Sequence, residues 1–149
     1  MIDRLPPWSI IYYAKANGAV PALAFLDQCA LNIDAEFMAV LDAVAAAPPP
    51  SFSGGGKWEA MRRPMGGWYE IRATGPGREQ FRLFCLLENG TDGELSARGL
   101  SKPAIAVITG MRKKHRTVFS ESDYAKVRAL GDDHREQLPR RIATYVVAR

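Results

Sequence analysis

The stretch that decides the fold is GGWYEIRATGPGREQFRLFCLLE, residues 66–88. Polar and apolar residues alternate in WYEIRAT and in QFRLFCLL, as expected of strands whose two faces meet different surroundings. The GPGRE between them combines glycine and proline, which is typical of a turn. The pattern therefore predicts an antiparallel β-hairpin with strands over about 67–74 and 80–88.

This hairpin brings two arginines together. If its turn consists of the five residues 75–79, Arg72 and Arg82 lie directly opposite each other on the polar face. Like charges in that position destabilise a sheet, so either solvent and the carboxylates of Glu70 and Glu88 neutralise them, or they await a shared anion. Arginine suits an anion because its rigid fork binds phosphate through two parallel hydrogen bonds. A shift of the turn by one residue would instead move Arg82 to the core face.

The chain before the hairpin predicts one strand and two helices. WSIIYYA, residues 8–14, is short and rich in β-branched and aromatic residues, which favours a strand. Apolar residues then recur at helical spacing, which predicts a helical hairpin over about 20–30 and 34–47. Three prolines and SFSGGG follow, and they predict a flexible loop within the same domain.

The chain after the hairpin predicts a loop, a central strand and a helix. Residues 89–103 are polar and contain three glycines, which favours a loop, whereas AIAVITGM, residues 104–111, is apolar enough for a central strand. Ser120 is a natural N-cap for a helix that Pro139 would end, and Gly131 is expected to weaken or shorten that helix. The tail beyond Pro139 has strand propensity and is a candidate edge strand.

Together these elements predict one α+β domain over residues 1–149. Its sheet is antiparallel or mixed and has four strands, or five if the tail adds one. An N-terminal helical hairpin and a C-terminal helix accompany the sheet, and we expect the helices to pack on one face. With 47% hydrophobic residues, a chain of 149 residues is long enough to bury a sizeable core.

Charge and cysteine content narrow the class of protein. The net charge is +4, and all of the 20 basic residues except Arg4 and Lys15 follow residue 56, which permits a nucleic-acid partner. Cys29 and Cys85 lack the spacing of metal ligands. No apolar run reaches the roughly 18 residues of a membrane span, and the first residues lack the apolar core of a signal peptide. The expected location is therefore the cytoplasm.

A dense cationic run ends the predicted central strand. GMRKKHR, residues 110–116, directly follows the apolar AIAVIT. Taken alone, such a run is most often a solvated strand end. If its strand adjoins the second hairpin strand, however, Lys113, Lys114 and His115 lie near the arginine pair, and the combined set suits a phosphodiester.

Four of these segments resemble the core of the RelE/ParE toxin superfamily and are most similar to the phage-derived HigB-like toxins. Those toxins carry an lyElR strand, a yRvfy strand, a vlLhgf.KK strand and a helix that follows tp..ei..A. The matching segments here are WYEIR, FRLFC, VITGMRKK and SESDYAKVRA, at residues 68–72, 81–85, 107–114 and 120–129. The resemblance spans about residues 8–137. A loop insertion at about 89–103 and a C-terminal extension at about 138–149 depart from the family pattern.

The resemblance implies a RelE-like fold and the toxin of a type II toxin–antitoxin system. Such a toxin is an mRNA endoribonuclease that works without a metal or cofactor, usually in the ribosomal decoding site, and so inhibits translation. Its implied partners are mRNA, the ribosome and a cognate antitoxin, expected to be a helix-turn-helix protein. The ribose 2′-OH attacks the adjacent phosphate, which requires cations around the phosphate, a base and an acid.

The resemblance also implies roles for individual residues. Arg72 and Arg82 would stabilise the phosphate and the transition state. His115 would be the acid or base, because histidine exchanges protons near neutral pH, with Glu70 as the other candidate. The implied RNA-binding residues are Arg112, Lys113, Lys114 and Arg116. Weaker candidates are Tyr124, Tyr145 and His134 for the chemistry and Trp58 and Trp68 for base stacking.

Two other functions stay open at this point. A ParE-like toxin shares the fold and inhibits DNA gyrase without cutting RNA, although the cationic strand end argues against it. A non-catalytic phage or prophage module would use the basic face to hold nucleic acid or a host protein, and the long loop and tail suit that role.

Overall fold

A computed structural model describes residues 5–48 and 57–143. The strands are β1 (Ser9–Tyr12), β2 (Trp58–Ala60), β3 (Trp68–Thr74), β4 (Gln80–Glu88) and β5 (Ala104–Lys113). The helices are α1 (Pro21–Gln28), α2 (Leu31–Ala46), α3 (Asp92–Ala97) and α4 (Glu121–Glu136), with a 3-10 turn at Pro76–Arg78. None of the helices in these two ranges is long and apolar enough to cross a membrane.

The five strands form one mixed sheet in the order β1-β5-β4-β3-β2. β1 pairs with β5 in parallel, and the other neighbours are antiparallel. This confirms the α+β class. The fifth strand is β2, which the sequence did not predict. Within the described residues, the tail contributes only an isolated bridge between Tyr13 and Ile142. The rest of the predicted tail strand, residues 144–149, lies outside the described residues.

The central hairpin has the predicted register. β3 pairs with β4 so that Thr74 lies opposite Gln80 and Arg72 opposite Arg82. The turn that sets this register has Gly77 at φ 66°, a left-handed conformation that glycine adopts at little cost. β5 adjoins β4 as expected, which places Lys113 opposite Gln80.

Helices cover both faces of the sheet, so the prediction that they pack on one face was wrong. α1 and α2 cover the face that carries Ile71 and Leu83, and α4 covers the face that carries Phe84 and Leu86. The physical reason lies in FRLFCLL, whose apolar residues fall on both faces of β4. A strand that is apolar on both sides is stable only when both sides are covered.

The segment predicted as a loop, residues 89–103, contains the helix α3. Thr91 and Glu94 form a reciprocal capping box at its start, and Leu95 is buried beneath it. The glycines in this segment favoured a loop, although its T-D-G-E has the spacing of a capping box.

α4 begins at the expected N-cap, Ser120, where the structure shows a capping box, and it runs past the glycine expected to shorten it. The Ser120 side chain accepts a hydrogen bond from the Asp123 backbone, and the Asp123 side chain accepts one from the Ser120 backbone. Gly131 is buried, and a Cβ at this position would overlap the Trp68 ring. The glycine therefore serves close packing of the helix on the sheet, which offsets its poor helix propensity.

Candidate functional site

The site is organised around the arginine pair on the face of the sheet that α4 covers. Glu70 lies on the same face and is only 5% exposed. Its Oε1 accepts a hydrogen bond from Arg72 Nε at 2.7 Å, and its Oε2 lies 3.8 Å from Arg82 Nε. The carboxylate between the two guanidinium groups thus offsets the repulsion that the register would otherwise create.

The two arginines differ in their surroundings. Arg72 is half-exposed, and its Nη2 also pairs with Glu59 at 3.1 Å. Burial acts to lower the Arg72 pKa, but the hydrogen bond and charge of Glu70 and the charge of Glu59 outweigh it and raise that pKa. Arg82 is more deeply placed, and its pKa is lowered by burial first, with the Arg72 charge adding to the effect.

Arg82 is held in place by neutral groups as well as by charge. Its Nη2 donates to the side-chain oxygen of Gln80 at 3.0 Å, and its Nη1 donates to the carbonyl of Phe81 at 3.2 Å. Its guanidinium carbon also lies 5.3 Å from the centre of the Phe119 ring. The planar group therefore has a defined orientation on the face of the sheet.

A cleft of about 410 Å³ opens beside Glu70 and Arg72. Its lining comes from β2, β3, their connection and α4, and comprises Glu59, Ala60, Met61, Arg62, Arg63, Pro64, Met65, Glu70, Arg72 and Tyr124. Arg62 and Arg63 are exposed, and neither forms an ion pair within the described part of the chain. Sequence reasoning missed both, although MRRPM, residues 61–65, lies just before β3, the strand that carries Arg72.

Tyr124 is the other side chain that folding brings into the cleft. Burial raises the pKa of its phenol, the charge of Glu70 adds to that rise, and Arg82 opposes it. The hydroxyl is therefore a proton donor at neutral pH. Tyr124 was a weak candidate in the sequence because a tyrosine at helical spacing most often serves packing.

The cationic run at the end of β5 is divided between different surroundings. Lys113 lies on the arginine face and pairs with Asp123 at 3.0 Å, whereas Arg112 pairs with Glu79 at 3.5 Å. Arg116 is exposed and has a positive φ of 68°. The run therefore supplies one cation beside the arginine pair and directs others elsewhere.

His115 and Lys114 line a second pocket of about 410 Å³ with Pro76, Gly77 and Glu79. This pocket lies at the turn of the central hairpin. His115 is consequently absent from the residues that line the cleft beside Glu70, although the sequence grouped the two as alternatives for one acid–base role.

The remaining candidates from the sequence that the structure describes are buried. Trp58 stacks on Tyr69 with ring centroids 4.9 Å apart, and Trp68 is buried beneath α4, so neither offers an open face to a base. His134 is fully buried and bonds Glu88 at 2.8 Å, remote in the fold from the arginine pair. Tyr145 lies outside the described residues.

Glu88 does not neutralise the arginine pair, since it lies at the opposite end of β4. Within the described ranges no group of three or more His, Cys, Asp or Glu side chains is arranged to hold a metal ion. No family model, curated protein or solved structure matches this chain.

Proposed function

We propose that this protein is the toxin of a type II toxin–antitoxin system and acts as a metal-independent, ribosome-dependent mRNA endoribonuclease. The observation that carries the proposal is the opposed pair Arg72 and Arg82, held around Glu70. Glu70 and Arg72 line a cleft together with Tyr124. The mRNA, the ribosome and a helix-turn-helix antitoxin belong to the same proposal.

The arrangement provides the groups needed for RNA cleavage by the neighbouring 2′-OH. Glu70 would take the 2′ proton while the 2′ oxygen attacks phosphorus, and Tyr124 would give a proton to the departing 5′ oxygen. The products are a 2′,3′-cyclic phosphate and a 5′-OH, and solvent restores both proton states. Arg72 and Arg82 would stabilise the extra negative charge on the phosphorane, which preorganised cations do at no cost of reorganisation.

The other cations suit the RNA backbone on either side of the reacting phosphate. Arg62 and Arg63 line the cleft without ion pairs among the described residues, so they can neutralise phosphates without first losing a partner. Lys113 extends the arginine face, and Lys114 and Arg116 extend the charge toward the hairpin turn. Because His115 lines the other pocket, the proposal gives it a role in backbone binding and gives the two proton transfers to Glu70 and Tyr124.

The first test is induced expression in a bacterial host of wild type, Arg82→Ala and the matched control Arg135→Ala. Arg135 is exposed on α4, and its side chain forms no ion pair within the described ranges. Growth and the 5′ ends of cellular mRNA are read in the same cultures. We expect arrest and cleavage inside codons for wild type and the control, and neither for Arg82→Ala, because loss of a transition-state cation typically costs 10²–10³ in rate.

Other results would overturn the nuclease proposal in recognisable ways. Arrest with intact mRNA and DNA damage would favour gyrase inhibition. Normal growth with intact mRNA in all three strains would favour a non-catalytic nucleic-acid-binding module. One observation already supports that second candidate: both arginines have carboxylate partners, whereas the exposed Lys114 and Arg116, which follow β5, have none among the described residues.

A further inference from the structure

Besides its capping box, the start of α4 has a second stabilising feature, a contact between two aromatic rings. Phe119 immediately precedes the N-cap Ser120, and Tyr124 is the fourth residue of the helix. The two rings stack with centroids 6.4 Å apart and planes 22° apart. Apolar contact between these two positions is a hydrophobic staple, which fixes the angle at which the chain enters a helix.

The staple also contacts the sheet where the arginine pair lies. The Phe119 ring receives the guanidinium of Arg82 at 5.3 Å, and Phe84 meets Phe119 and Tyr124 edge-on at 6.5 and 6.2 Å. The hydrogen-bond partners of Arg82 are Gln80 and Phe81, which are its own neighbours along β4. Phe119 therefore links Arg82 to α4, the helix that carries Tyr124.

We propose that Phe119 is a positioning residue that aligns Arg82 with Tyr124 across the candidate site. This inference rests on the proposed function, in which one of the two groups stabilises the phosphorane and the other protonates the departing oxygen. An aliphatic side chain would complete a staple equally well, so the staple alone does not account for an aromatic ring here. The ring has a second role because its face attracts the guanidinium of Arg82.

The kinetic test compares Phe119→Leu, Phe119→Tyr and Phe25→Leu in cleavage of mRNA on programmed ribosomes. Phe119→Leu keeps an apolar staple without the aromatic face, and Phe119→Tyr keeps both. Phe25 is the matched control, because it is a half-buried ring that contacts Phe37 and Phe81 on the other face of the sheet. We expect the single-turnover rate at saturation to fall about tenfold in Phe119→Leu alone, with apparent affinity for the ribosome unchanged.

A second readout does not depend on cleavage. The Nε–H resonance of Arg82, assigned by its loss in Arg82→Lys, should carry a ring-current shift that disappears in Phe119→Leu and persists in Phe119→Tyr and Phe25→Leu. If the wild type cuts no RNA but shows this pattern of shifts, the proposed function is refuted, whereas the contact between Phe119 and Arg82 is confirmed. An unchanged Arg82 resonance in Phe119→Leu, or a loss of rate shared equally by Phe25→Leu, would refute the positioning role.

Discussion

Among single residues, Glu70 determines whether the arginine pair is a stable part of the sheet or a pair of opposed charges. Arg72 and Arg82 face each other directly, and the nearly buried carboxylate of Glu70 contacts both. Glu59 contributes only a half-exposed ion pair to Arg72. Removal of one member from a buried charged cluster costs far more than loss of an exposed pair, because the remaining charges stay desolvated.

We therefore predict that Glu70→Gln lowers the free energy of unfolding by about 1–3 kcal/mol, whereas the control Glu59→Gln changes it by about 0.5 kcal/mol or less. Urea unfolding of both variants at pH 7 measures the difference. Added inorganic phosphate should restore part of the loss in Glu70→Gln, since a dianion can take the place of the carboxylate. Equal effects of the two substitutions would contradict a central role for Glu70.

The sequence predicted one part of this site, Glu70 with the arginine pair, but not the cleft beside it. Arg72, Arg82 and Glu70 were predicted together because a five-residue turn fixes the register of one hairpin, and alternation then fixes the face. Tyr124 and the Arg62–Arg63 pair reach the cleft only through the packing of α4 and the course of the connection after β2. No local pattern encodes those tertiary placements.

At the scale of elements, the sequence predicted those parts that have long and regular patterns. β1, β3, β4, β5 and the three longer helices were predicted, with ends that differ by a few residues. β2 has only three residues, too few for alternation to be recognised, and it exists because Trp58 packs on Tyr69 of the neighbouring strand. Such elements are stabilised by their neighbours, so the local periodicity of the sequence does not predict them.

α4 provides the clearest conflict between local preference and packing. Helix propensity alone predicts that Gly131→Ala stabilises the protein by about 1 kcal/mol. We predict the opposite, a destabilisation of about 1–3 kcal/mol, because the added methyl group overlaps the buried Trp68 ring. Urea unfolding decides the sign. Ala129→Gly, at an exposed position of the same helix, is the control and should cost about 1 kcal/mol through propensity only. A stabilised Gly131→Ala protein would show that the helix does not approach the sheet so closely.

On the scale of the whole molecule, Glu88 joins two segments that are distant in sequence, the one after α3 and the one after α4. Its carboxylate accepts hydrogen bonds from Arg140 Nε at 2.7 Å and Arg98 Nη1 at 3.2 Å, and it bonds His134 at 2.8 Å. Arg98 follows α3, and Arg140 follows α4. The segment that contains α3 and the residues that follow α4 are thus joined to each other and to β4 through one buried carboxylate.

The same backbone region is tied by main-chain hydrogen bonds. The Arg140 amide donates to the Arg98 carbonyl at 2.9 Å, and the Ala143 amide donates to the Tyr12 carbonyl at 2.8 Å. The residues after α4 therefore pair with the end of β1 and supply partners for backbone groups at that part of its outer edge. We regard Glu88 as the residue on which this pairing depends.

The stability of the protein at acid pH is the most direct test of this role of Glu88. Burial alone would raise the Glu88 pKa, but the hydrogen bonds from His134 and Arg140 and the Arg140 charge outweigh it and hold that pKa at about 2. A pKa depressed below its unfolded value of about 4.3 contributes stability that is complete above about pH 5 and is lost as the pH falls toward 2. The contribution is on the order of 3 kcal/mol.

We accordingly predict that Glu88→Gln has a much lower free energy of unfolding than wild type at pH 7. This difference should become steadily smaller between pH 5 and pH 2. Unfolding by guanidinium chloride across this range gives the difference curve, in which the other carboxylates cancel. Glu136→Gln, an exposed carboxylate of α4 with no ion pair among the described residues, should run parallel to wild type. If the difference in free energy of unfolding between Glu88→Gln and wild type stays constant down to pH 2, the Glu88 charge is not what holds the segment after α4, because only the ionised carboxylate holds Arg98 and Arg140 together.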